Sequence, residues 1–144
     1  MIPVVALSLV PMPPGLINVL LIASGGAAGA LARYAVSGPI LGKLGGRFPW
    51  GILTVNLVGC FFIGLVMLLY LERGETDDRL RLLLVAGFLG SFTTFSTFGF
   101  DTFELLRDGH AQIAIANVLS NMVLGVALAA AGWKVGRLVV GMGA

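Results

Sequence analysis

The residues of this chain that could do chemistry are amides and hydroxyls set among apolar neighbours. From Gly90 to Gly99 the hydroxyls of Ser91, Thr93, Thr94, Ser96 and Thr97 alternate with the rings of Phe92, Phe95 and Phe98. A lipid-facing helix is built from Leu, Val, Ile and Ala. Backbone that departs from helix at membrane depth is tolerated only where it is buried in protein or lines a polar cavity. The segment therefore reads as the wall of a pathway. Asn56 is the strongest polar group one helix earlier. An amide buried without a hydrogen bond costs about 2–7 kcal/mol, so it must face a partner or water. Two roles fit it equally: interhelical bonding, or donation of its NH₂ to a passing anion. Asn117, Asn121 and Gly125 recur at i, i+4 spacing with Ser120 alongside. Together with Asn56 they make a polar but uncharged track.

The phenylalanines admit two readings. One is an aromatic packing seam. The other uses the ring quadrupole, whose face is negative and whose C–H edge is positive. Ring edges stabilise an anion without a full charge, and conduction requires binding weak enough to release. Hydroxyls and amides would then supply directional donors for a small, strongly hydrated anion.

Other chemistries lack their parts. The single histidine, His110, makes neither a catalytic pair nor a metal cluster and is expected to be solvated. The single cysteine, Cys60, excludes an internal disulfide and a multi-cysteine metal site; it reads as a small apolar packing residue. Asp77 and Asp78 fall in a polar connection, and Asp101 and Glu104 follow the end of the third charge-free run. Without an acid in the middle of a segment, a proton relay has no carrier. This speaks against enzymes, and against the small dual-topology exporters of drugs and organic cations that such a chain otherwise matches in size. A purely structural role, with polar stripes serving as helix glue, is a third possibility. A net charge of +2 with no basic block excludes nucleic acid as a partner.

The elements that must position these residues follow from charge distribution. Of the 144 residues, 58% are hydrophobic and 11% charged, against roughly 25% charged in a soluble domain. Charge-free runs cover 16–32, 50–71, 82–100 and 111–133, each long enough to span a bilayer, which takes about 20 residues. They predict an all-α membrane protein of one domain with four transmembrane helices: 16–36, 50–71, 82–106 with a break near 90–93, and 111–133. Short connections make neighbours antiparallel. Trp50, Tyr70 and Trp133 stand at expected interfaces. Gly25 and Gly29 form a GxxxG pair whose stripe continues to Arg33. Small residues there allow close helix approach. Arg33 either snorkels to the interface or lends positive potential to an anion vestibule. Residues 1–15, with four prolines and no basic residue, read as an interfacial leader rather than a signal peptide.

Orientation is nearly balanced. One side holds Arg73, Arg79, Arg81, Lys134 and Arg137; the other holds Arg33, Lys43, Arg47 and Arg107. The positive-inside rule needs a larger bias to fix topology. Either weak signals set one orientation, or the chain inserts both ways and pairs as an antiparallel dual-topology dimer. The dimer is favoured, because four short helices hardly enclose a polar pathway alone.

Thr54-Val55-Asn56-Leu57-Val58-Gly59, followed by Gly87-Phe88-Leu89-Gly90 and the run from Ser91 to Phe98, resembles the signature of the Fluc (CrcB) fluoride channels. The resemblance extends from Gly25 to about Gly136. It implies a passive, fluoride-selective channel working as a dual-topology dimer with two antiparallel pores in a bacterial inner membrane. By this resemblance Asn56 is the pore amide, Phe95 and Phe98 are the rings whose edges face the ion, and Arg33 lies near the vestibule. Asn121 matches a fourth-helix pore position that is often Ser in relatives. Asp101 stands where relatives often carry Glu. A structural Na⁺ at the dimer interface would be held by the main-chain carbonyls of Gly90 and Thr93. Whether the partner is a second copy or a sister chain is open.

Overall fold

The computed structural model describes residues 15–72 and 78–141; of Glu72 only the backbone is described. The expected leader, Arg73 and Asp77 lie outside the described residues. Within them the chain forms four long helices: α1 (Leu16–Leu44), α2 (Trp50–Glu72), α3 (Asp78–Arg107) and α4 (Ala111–Val140). All four are long and apolar enough to cross a membrane, so this is an all-helical, multi-pass membrane protein.

Three helices run further than their charge-free cores. α1, expected to end at Val36, continues through Pro39 to Leu44. α3 starts before Leu82, at Asp78, and α4 extends past Trp133 to Val140. The physical reason is common to all: a long charged side chain near a helix end reaches the interface without ending the helix. At a rise of 1.5 Å per residue, α1 is about 44 Å long, more than a hydrocarbon core of about 30 Å, which favours tilt. Asp101 and Glu104 lie inside α3, within its predicted span, whereas Trp133 sits two turns before the end of α4 rather than at it. At the α3–α4 turn, Gly109 takes φ +79°, a left-handed conformation that suits glycine. The N–H groups of Gly109 and His110 close the helix on the carbonyls of Leu106 and Leu105, at 3.1 and 2.7 Å.

Packing rests on glycine. α2 lies along α4 and α1 lies along the first half of α3. Gly25 and Gly29 are buried, and a Cβ on either would strike the main-chain carbonyls of Leu83 and Phe88. The close-packing reading of the GxxxG pair therefore holds. At the α2–α4 contact, a Cβ on Gly64 would meet the carbonyl of Ala129, and one on Gly132 that of Phe61. Lipid tails are as apolar as leucine, so close van der Waals contact, rather than water exclusion, holds the helices together. One of the contacts between the two halves of the bundle is Gly51 of α2 against Ser37 of α1.

Two stretches are wound as π-helix, Leu82–Leu89 in α3 and Ser120–Leu124 in α4. Such turns inside α-helices frequently accompany functional sites. α3 then breaks at Thr93 and Thr94, whose ψ angles of 158° and 112° are extended. The expected break is present, displaced to the end of the 90–93 window. It separates residues 78–92 from the second half, Phe95–Arg107.

Backbone contact at these glycines gives a direct test. Gly64→Ala and Gly132→Ala should each destabilise the protein by about 1–3 kcal/mol through overpacking. Gly42→Ala, with nothing within 4 Å of its added methyl, should be neutral or slightly stabilising. Thermal unfolding in detergent, followed by circular dichroism, reads the difference; equal melting of all three would reject glycine-dependent packing.

Candidate functional site

The break in α3 sets several main-chain groups free within the helix, and Asn56 captures one of them. In an unbroken helix the Thr94 N–H would bond the Gly90 carbonyl. Here it donates to Asn56 Oδ1 at 2.9 Å. The amide orientation of Asn56 follows: its oxygen takes the Thr94 N–H, and its NH₂ is left to donate. That NH₂ donates to Asn121 Oδ1 at 3.0 Å and to the Thr94 carbonyl at a long 3.4 Å. Thr94 also caps the second half of α3, its Oγ1 accepting from Thr97 N–H at 3.3 Å, and it pairs with Thr97 Oγ1 at 3.0 Å and Ser96 Oγ at 3.3 Å. A side-chain oxygen at an N-cap is the ordinary way to satisfy a helix start. Here it also gathers three hydroxyls beside the cavity.

Around the break lies a cavity of about 310 Å³, lined among others by Asn56, Cys60, Thr94, Phe95, Phe98 and Asn121. Four of the five expected pathway residues thus converge on one space. The aromatic series divides at the break. Phe92 is 5% exposed and stacks on Phe88, with centroids 5.8 Å apart and planes 10° apart. Phe95 and Phe98 form a separate tilted pair at 5.5 Å and 50° on the cavity. Phe98 is 5% exposed, whereas Phe95 is 75% exposed on the outside of the single chain. One continuous packing seam is therefore not formed: Phe92 packs, and the other two rings line the cavity.

A second cavity of about 460 Å³ opens where the end of α1, the 45–49 connection and the α3–α4 turn meet; Ser37, Arg47, Thr97, Asp101, Glu104 and His110 are in its wall. Thr97 belongs to this outer cavity and is bonded to Thr94 of the inner one, so hydroxyls join the two. His110, expected to be solvated, is half-buried at the N-terminal cap of α4. Asp108, also on this wall, accepts from Arg107 Nε at 2.9 Å, and that hydrogen bond holds its carboxyl below the usual range. Arg33 is half-buried on α1 and lines neither cavity of the single chain. Asp101 is half-buried in α3, inside the predicted 82–106 span.

Among the described residues, no group of three or more His, Cys, Asp or Glu side chains could hold a metal ion. Main-chain oxygens are a different matter. The amides that an unbroken helix would direct at Gly90 O and Thr93 O are those of Thr94 and Thr97. Both are turned to side-chain oxygens, Asn56 Oδ1 and Thr94 Oγ1. Carbonyls released at a helix break are the kind of ligand that Na⁺ takes. The donor set of Gly90 and Thr93 fits a monovalent hard cation.

Sequence reading alone missed two contributors. Thr94 acts through its main chain, which no residue type advertises. Thr102, on α3, accepts from Asn117 Nδ2 at 2.9 Å and donates to the Phe98 carbonyl at 2.7 Å. Its place opposite Asn117 depends on the α3–α4 crossing.

Comparison with known proteins bears on this site. The family model described as CrcB-like protein, camphor resistance (CrcB), matches residues 20–133. A fluoride-specific ion channel FluC from Magnetococcus marinus is 45% identical over 118 residues, 82% of this chain and 96% of that protein. One of the same name from Solibacter usitatus is 49% identical over 108 residues, 75% of this chain and 88% of its own length. A third, from Maridesulfovibrio salexigens, is 43% identical over 121 residues, 84% and 96% respectively. The match runs through all four helices and both sides of the break, and the chain belongs to the CrcB family.

Proposed function

We propose that this protein is a fluoride-selective channel that lets fluoride leave the cell passively. The observation that carries the proposal is the convergence of the Asn56 amide and the Phe95–Phe98 pair on one uncharged cavity at the break in α3. The relatives' printed names, at 43–49% identity, support fluoride as the ion. The alternative, a proton-coupled exporter of organic cations, has no support in them. The energetic logic is acid trapping. Neutral HF crosses lipid and ionises in a less acidic cytoplasm, and the anion cannot return through hydrocarbon. A selective pore then suffices without coupling energy.

Each pathway residue has a stated task. The Asn56 NH₂ is directed by the bond that its oxygen accepts from Thr94, and its weak 3.4 Å bond is the one an anion displaces at least cost. The ring edges of Phe95 and Phe98 offer diffuse positive potential that does not trap the ion. Asn121 accepts from Asn56 and so supports it rather than facing the ion first. Arg33 would act at longer range, on potential at the mouth.

The assembly belongs to the same proposal. Gly90 and Phe95 are exposed on the single chain beside the cavity, which suits a second copy in antiparallel orientation completing the wall. Na⁺ would sit between the copies on the Gly90 and Thr93 carbonyls, supplying fixed charge that ties the two breaks together. The membrane is inferred to be the bacterial inner membrane, and lipid the solvent of the outer faces.

Fluoride efflux from liposomes holding purified protein tests the pore. Asn56→Asp replaces a donor with a charge that repels the anion by about 4 kcal/mol at a 4 Å separation, so flux should fall about 10²- to 10³-fold. Phe95→Ile and Phe98→Ile keep bulk but remove the positive ring edge, and should each cost about tenfold. Phe92→Ile, whose ring packs on Phe88, should conduct normally if it folds. Wild-type flux in folded Phe95→Ile and Phe98→Ile proteins would return those rings to a packing role.

Assembly is tested separately. C-terminal reporter fusions should give signal on both sides of the membrane, and a one-sided signal would exclude dual insertion by a single gene product. Because Na⁺ would bind the dimer and not separated chains, rigorous exchange of Na⁺ for a large organic cation should lower dimer stability by mass action and reduce flux. Unchanged stability and flux would remove the Na⁺ site.

A further inference from the structure

Asn117 is 0% exposed, among the most deeply buried side chains, and it is an amide at membrane depth. Its hydrogen bonds are complete and directional. Both Asn121 Nδ2 hydrogens are directed at it: one at its backbone carbonyl and one at its Oδ1, each at 3.0 Å. Its own Nδ2 donates to Thr102 Oγ1 at 2.9 Å, and Thr102 donates in turn to the Phe98 carbonyl at 2.7 Å. Joined to the bonds at Asn56, these form one chain of fixed polarity. It starts at the Thr94 N–H, which can only donate, and passes through Asn56, Asn121, Asn117 and Thr102. It ends at the Phe98 carbonyl, which can only accept. Along this chain each amide therefore accepts from its predecessor through oxygen and donates to its successor through NH₂; reversing any one would set NH₂ against NH₂ or oxygen against oxygen.

We propose that Asn117 is a positioning residue for the anion site: by occupying both Asn121 hydrogens it makes Asn121 present only oxygen to Asn56, so that the Asn56 NH₂, with its long 3.4 Å bond to the Thr94 carbonyl, is the amide donor at the cavity most readily released to an anion. The side chain does not line the cavity. It acts through Asn121. A second amide donor at the cavity would bind the anion more tightly and slow its release, and it would let the Asn56 NH₂ turn. The inference rests on the fluoride-channel reading for its transport consequence, but the amide geometry stands without it.

The experiment uses full-length protein in liposomes and in detergent. Asn117→Leu keeps size and removes both polar ends. Relative to wild type it should lower the half-saturating fluoride concentration and the maximal flux together, each by about fivefold, the equivalent of one hydrogen bond. In an Asn121→Ser background the same substitution should change either value less than about twofold, since its route of action is gone. A role in packing alone would give equal changes in both backgrounds and overturn the proposal. If Asn117→Leu does not fold, Thr102→Val breaks the chain one bond further on, in a half-buried position with less to lose. It should move flux in the same direction, again only with Asn121 present; wild-type values would overturn the proposal. Side-chain amide NMR of ¹⁵N-labelled protein separates this from failure of the channel reading. Loss of fluoride flux in the wild type would sink the channel reading, while Asn56 amide resonances should still shift in Asn117→Leu or Thr102→Val. Asn56 resonances unmoved in the folded variants would sink the positioning role whatever the flux.

Discussion

The bond from Thr94 N–H to Asn56 Oδ1 is the interaction on which the rest of the site depends. A helix broken at membrane depth exposes main-chain groups that hydrocarbon cannot satisfy, each at a cost of several kcal/mol. The break is supported where two of the freed amides find side-chain acceptors: Asn56 for Thr94, and Thr94 itself for Thr97. Among the described residues, no buried side-chain nitrogen or oxygen lacks a partner. The same two captures leave the Gly90 and Thr93 carbonyls without their helical donors. They also orient the Asn56 amide and begin a second helix at Phe95, so that Phe95 and Phe98 reach the cavity. The two released carbonyls, the directed Asn56 amide and the aromatic pair are thus three consequences of one interruption.

Close backbone approach makes that interruption sterically possible. Gly59 lies against Thr93, where a Cβ would overlap the threonine methyl, so α2 can come near enough for Asn56 to reach the break. Gly25 and Gly29 admit the π-wound first half of α3 on the other side. Glycine costs a helix about 0.5–1 kcal/mol per position in water. In lipid, where packing rather than solvent exclusion binds helices, the close van der Waals fit that glycine allows offsets that cost. The glycine content and the polar site are therefore linked: without the first, the second could not be hydrogen-bonded.

Much of this was legible in the sequence, for physical reasons that differ by feature. Charge-free runs reveal spans because burying charge in hydrocarbon is so unfavourable. They understate helix length because arginine, lysine and the carboxylates near an end extend to the interface, as at Arg33, Asp101 and Lys134. Asn56, Phe95, Phe98 and Asn121 stood out because amides and clustered aromatics beside hydroxyls are unusual in a lipid-facing helix. The separation of Phe92 from its two successors was invisible to spacing, since a period of three is continuous across a break that the backbone is not. Thr94 and Thr102 could not be singled out because their roles depend on which atom of another helix lies within 3 Å.

The balance of polarity in the site suits the small anion that the proposed channel would pass. A lysine or arginine at the cavity would bind a small anion strongly in a low dielectric and hold it; a carboxylate would exclude it. Neutral amides fixed in one direction avoid both outcomes, but only if their direction is enforced, because an amide turned over presents oxygen where nitrogen is needed. Asn56 is enforced from the break, where a main-chain N–H can do nothing but donate. The far end of the chain is enforced by the Phe98 carbonyl, which can do nothing but accept. Pinning a run of neutral dipoles at both ends by backbone groups of opposite character gives a directed donor without a charge, and the residue carrying the second pin also carries one of the two rings on the cavity. Geometry of the aromatic pair and polarity of the amide chain are in that way set by the same short stretch of α3.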